Sequence, residues 1–208
     1  FNGTGVAAKA QVAGKWCRIA AEKGLPKAMF MWGLMLEVGH GTPQDTQAAF
    51  GWYKKAAEGG ETRAYMNLGE CYEEGRGVSA NPAEAAKWYR KGADSGDGAA
   101  STSLGGLYYA GNGVAQDQAE AGRWFIKGAE AGNKNGMFNA GLMYEQGILG
   151  VSRDLAKARH WFGKAAAAGM KPASAALERV SAADKPADAQ GRPEIAGRYV
   201  ANGKNPNG

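Results

Sequence analysis

Residues 63–96, RAYMNLGECYEEGRGVSANPAEAAKWYRKGADSG, read as two amphipathic helices, the turn that joins them and the turn that closes the second. Ala64, Leu68, Cys71 and Tyr72 follow helical spacing and predict one buried stripe. Gly75-Arg76-Gly77-Val78 ends that helix, because glycine takes the positive φ that a helix C-terminus often needs. Asn81 then caps the next helix, and Pro82 fits its first position, where no amide hydrogen bond is lost. Ala85, Trp88, Tyr89, Gly92 and Ala93 fall on the inner face of this second helix.

The stretch is one copy of a repeat. Trp16, Trp52, Trp88, Trp124 and Trp161 are separated by 36, 36, 36 and 37 residues, and Gly33, Gly69, Gly105 and Gly141 keep the same beat. So do the caps Asp45, Asn81, Asp117 and Asp154. A fixed period of this size means stacked units, each too small to bury its apolar face alone. The one extra residue falls in Gly147-Ile148-Leu149-Gly150, which replaces the two-glycine turns Gly75-Arg76-Gly77 and Gly111-Asn112-Gly113. The small residues let helices approach closely, and large rings, Trp88 among them, are expected to fill the remaining core. The 33 glycines are periodic in a chain that is 44% hydrophobic, which argues for packing rather than disorder.

The predicted fold is all-α, a right-handed α/α superhelical solenoid of roughly 36-residue helix-turn-helix units. A partial unit covers 1–24, followed by units 25–60, 61–96, 97–132 and 133–169, a terminal helix 170–180 that caps the array, and a tail 181–208. Phe1 to Val6 align with the end of a first helix and its turn, so the chain is expected to begin inside a repeat and to follow upstream repeats of the same protein. In the tail, Ile195, Tyr199 and Val200 would share one apolar helical face able to dock on the last repeat or in a groove.

Several function classes find no support. The net charge of +5 is spread along the chain without a dense basic stripe, which argues against nucleic acid. No stretch is long and apolar enough to span a membrane. His40 and His160 lie in different units and form no ligand pair, and no His, Cys or carboxylate cluster is spaced for a metal. The Gly-x-Gly turns follow helices in every unit and are not phosphate loops. No Ser-x-x-Lys is present. Neither a catalytic residue nor a cofactor is expected. Cys17 and Cys71 are expected to be reduced, too far apart to bridge.

Ala64-x-x-x-Leu68-Gly69-x-x-Tyr72-x-x-Gly75-x-Gly77-Val78, followed by Ala85-x-x-Trp88-Tyr89-x-Lys91-Gly92-Ala93-x-x-Gly96, resembles the Sel1-like repeat, a cousin of the tetratricopeptide repeat. The likeness covers roughly residues 3–180 and departs in the first full unit, where Leu36 replaces the tyrosine and Thr42 the valine. It implies that first helices line a concave, partner-binding face. The face opposite the buried stripe offers Met31, Leu34 and Val38, then Arg63, Asn67, Glu70 and Glu74, then Ser103, then Asn139, Leu142 and Gln146. By analogy with related peptide-binding repeats, Asn67 and Asn139 would hydrogen-bond an extended backbone. The expected function is a non-enzymatic bacterial adaptor or scaffold for a protein or peptide partner, for instance in signalling. The alternative is a dedicated inhibitor, such as an immunity protein for one secreted toxin or enzyme. The compartment stays open, with the bacterial envelope or periplasm slightly preferred over the cytoplasm.

Overall fold

The computed structural model describes residues 4–183, and within them the chain forms ten helices and no strand. They are α1 (Thr4–Glu22), α2 (Pro26–Val38), α3 (Thr46–Glu58), α4 (Arg63–Glu74), α5 (Pro82–Asp94), α6 (Gly98–Ala110), α7 (Gln118–Glu130), α8 (Lys134–Gln146), α9 (Leu155–Ala167) and α10 (Lys171–Ala183). Each even-numbered helix from α2 to α8 packs on the helix after it, and each pair packs on the next. First helices also touch across units, α4 with α6 and α6 with α8, and no pair of second helices does so to the same degree. The first helices therefore form the tighter, inner layer of the stack.

Local chemistry sets the helix boundaries. The side chains of Asp45, Asn81, Asp117 and Asp154 accept the amides of Ala48, Glu84, Glu120 and Lys157, one turn into their helices. Each satisfies one of the orphan donors of a helix start. Asp97 and Asn133 do the same for first helices. Gly75 closes α4 in the left-handed region, φ 74°, with its amide on the Cys71 carbonyl.

The core repeats one contact. Tyr53, Tyr89, Phe125 and Phe162 are buried, and each lies against the glycine of its own unit: Gly33, Gly69, Gly105 and Gly141. A Cβ on Gly33 would come 2.7 Å from the Tyr53 ring, and one on Gly105 would come 2.8 Å from Phe125. The glycine column thus exists to admit a ring. Ala64, Leu68 and Cys71 are buried as the helical spacing predicts, and Tyr72 sits half-buried at the rim, edge-on to Phe50.

Two expectations are corrected. Trp88 is half-buried, and the fully buried ring is its neighbour Tyr89. The tryptophans of this column lie beneath a lysine three residues on, Lys55 over Trp52, Lys91 over Trp88, Lys127 over Trp124 and Lys164 over Trp161, at 4.1–4.9 Å; Trp52, Trp88 and Trp161 are half-buried at the edge of the core, and Trp124 is buried. Such a ring presents its body to the core and its face to a cation. Second, α1 already runs at Thr4, so Thr4-Gly5-Val6 is helix and not the turn its alignment implies. In the full units the second turn glycine abuts the preceding second helix, as Gly41 does at Ala10 and Gly77 at Thr46. The tail and its Ile195, Tyr199 and Val200 lie outside the described residues.

Candidate functional site: the first-helix groove

The inner face carries a groove of about 290 Å³ between α6 and α8. Tyr109, Leu142 and Ile148 wall it, Phe125, Met143 and Leu149 lie deeper, and the amides of Asn139 and Gln146 edge it. Tyr109 and Ile148 are 51% and 40% exposed, unusual for large apolar side chains that share one depression. The inserted residue builds this wall. Leu149 takes a left-handed backbone, φ 56°, rare for a branched side chain and costing about 1–3 kcal/mol. Its carbonyl presses on Gly122 of α7, where a Cβ could not fit. The second unit has Ala86 in that register, so the insertion and the missing methyl belong together.

A bank of carboxylates stands on the same layer, toward the N-terminus. Arg76, in the turn after α4, bonds Glu37 of α2 and Glu70 of α4, the latter at 2.7 Å. Its Nε lies 2.9 Å from Glu74, an ion pair without an aligned hydrogen bond. The buried phenols of Tyr53 and Tyr89 donate to Glu37 and Glu73, both at 2.6 Å. Burial holds Glu70 above the usual carboxylate range despite its guanidinium partner. Burial and then the facing carboxylate push both phenols far above their ordinary range.

The family model described as "Sel1 repeat" matches residues 1–25, 26–61, 62–97, 99–133 and 135–170, most of the sequence. The chain belongs to the Sel1 repeat family. Proteins of this family are in general protein-interaction scaffolds. Solved Sel1 structures agree with the fold. One is c5321, a protective antigen of uropathogenic Escherichia coli strains, with 39% identity and a TM-score of 0.71 over 75% of this chain. The match takes in 33% of that protein, so this chain spans only about a third of its length. A Sel1 repeat protein from Oxalobacter formigenes gives 35% identity and a TM-score of 0.76, covering 82% of this chain and 68% of that one. Cysteine rich protein B of Helicobacter pylori gives 25% identity and a TM-score of 0.51, over 61% and 93%. A search of the curated proteins finds no match.

This Sel1 solenoid gathers some of the sequence-predicted face and disperses the rest. Asn139, Leu142 and Gln146 meet in the groove. Glu70 and Glu74 are held by Arg76. Ser103 lies near the Tyr89 phenol, and Asn67 is half-buried beside the carboxylates on α4. Arg63 points elsewhere, paired with Glu61 at 2.8 Å and lying over the Phe30 ring. Met31 and Val38 are exposed on α2, with Leu34 half-buried against the first core cluster. Sequence reasoning missed Tyr109, Ile148 and Leu149. The signal was present: the other two-glycine turns hold His40, Arg76 or Asn112, and only the insertion holds Ile-Leu. Both cysteines are free, and burial pushes the Cys71 thiol up to about 11. Among the described residues no group of three or more His, Cys, Asp or Glu is placed to hold a metal, and no helix is long and apolar enough to cross a membrane.

Proposed function

We propose that this chain is a non-enzymatic adaptor that binds a protein or peptide partner on its first-helix face, with the groove between α6 and α8 as the anchor point. The groove itself carries the reading. At about 290 Å³ it suits one side chain of a partner better than a whole cofactor. Its walls are apolar and its edge carries two amides, a pairing that anchors a side chain and hydrogen-bonds the backbone next to it. The walls are built by helices and a seated turn, so little ordering entropy opposes binding.

The test is affinity capture from the source cell with this chain as bait, comparing the native sequence with Asn67→Asp plus Asn139→Asp. A stoichiometric protein held by the native chain and lost by the double variant, at equal helicity and melting temperature, is the expected result. Equal capture by both chains would move the site off this face.

A further inference from the structure

We propose that the groove takes an extended cationic segment, which seats one bulky apolar side chain between α6 and α8 and lays its Lys or Arg side chains over α4. This rests on the first-helix face being the partner site. The repeat register supplies the argument. Asn67, Glu70 and Glu74 of α4 occupy the positions that Asn139, Leu142 and Gln146 occupy in α8, two units along. The same column that is apolar and amide-bearing at one end is carboxylate at the other. Between them α6 presents Ser103, Gly106 and Ala110, and a Cβ on Gly106 would meet nothing within 4 Å. The face thus runs from an acidic bank across a low floor to an apolar pocket.

Spacing and charge define the occupant. Packed helix axes lie about 8–10 Å apart. The bank and the pocket are therefore about 10–20 Å apart, a span of about three to six extended residues at ~3.3 Å each. Glu37, Glu70 and Glu74 converge on the single guanidinium of Arg76, while Glu73 accepts from a neutral phenol. Arg179, on α10 beyond the pocket, is already bonded to both oxygens of Glu145. The bank keeps an excess of negative charge, which attracts a basic segment and repels an acidic one.

Phage-displayed random dodecapeptides, selected on the intact 208-residue chain, are the probe. Selected peptides are then titrated as fluorescein conjugates against the native chain and two variants of matched helicity. Gly106→Trp fills the floor from a position open to solvent. Glu73→Gln plus Glu74→Gln removes two exposed charges. The expected peptides carry a bulky apolar residue with Lys or Arg about three to six positions away. They lose more than tenfold in affinity to Gly106→Trp and several-fold, up to about tenfold, to the double Gln variant. Peptides lost to Gly106→Trp but neutral or acidic in sequence would overturn the cationic occupant and leave the face as the site. Peptides indifferent to Gly106→Trp, or no enrichment at all, would overturn both.

Discussion

Two adjacent glycines in α6 should respond in opposite directions to the same added methyl. Gly105 and Gly106 share a helix, so alanine at either gains about 1 kcal/mol in helix propensity. At Gly106 nothing lies within 4 Å of the new Cβ, and that gain is the whole effect. At Gly105 the Cβ would fall 2.8 and 2.9 Å from two carbons of the Phe125 ring and 3.2 Å from the Ala121 carbonyl. Carbon atoms prefer about 3.5–4.0 Å, so the ring must retreat by most of an ångström. Phe125 is 8% exposed and packs in the same cluster as Met143 and Leu149, so a shift of the ring breaks contacts with both. Overpacking of this kind costs about 1–3 kcal/mol, and the fixed carbonyl puts this case toward the upper end. Gly105→Ala should then be destabilised by about 1–2 kcal/mol net and Gly106→Ala stabilised by about 1 kcal/mol. At about 2–4 °C per kcal/mol for a chain of this length, their melting temperatures should differ by about 4–12 °C. Circular dichroism melts and urea titrations of the three proteins measure this. Equal shifts of the same sign would refute the assignment of the glycine column as a seat for the ring.

Tyr89→Ala should cost about 3–5 kcal/mol in urea unfolding and Trp88→Ala clearly less, because the first ring is buried and the second only edges the core; a larger loss at Trp88 would reverse that assignment. The neutral phenols of Tyr53 and Tyr89 are favoured in the fold, so their stabilisation is complete below the unfolded pKa of about 10 and is lost as pH rises above it. The stability of Tyr53→Phe plus Tyr89→Phe should accordingly fall less steeply than that of the native chain above about pH 10, as read by denaturant midpoints across pH. Asp117→Ala should cost about 1 kcal/mol through loss of the bond to the Glu120 amide, measured by the same titration. Cys71 should resist a thiol reagent at pH 8 until urea opens the array, since burial raises its pKa to about 11.

The fold was legible because the period repeats every local signal. Caps at Asp45, Asn81, Asp117 and Asp154 and left-handed glycines such as Gly75 act on their own neighbours, and such short-range chemistry can be read from one copy. The choice between Trp88 and Tyr89 was not legible by period, since both columns recur. Contact with Gly69 decides it, and that contact crosses from one helix to another. At the site, Asn139, Leu142 and Gln146 followed from helical spacing. Glu70 and Glu74 read as free surface charges because Arg76 and Glu37, which complete their network, lie in a turn and in another unit. The groove wall at Ile148 and Leu149 depends on a backbone excursion, φ 56° at Leu149, that no residue type at that position announces.

The central claim is that the partner sits on the first-helix face at the α6–α8 groove. A photo-activated cross-linking residue placed at Gln146, on the edge of the groove, and separately at Lys87, exposed on second helix α5, tests it inside the source cell. The account predicts a discrete cross-linked species from position 146 and none from position 87. Cross-linking from position 87 alone would place the partner on the outer helices and contradict it.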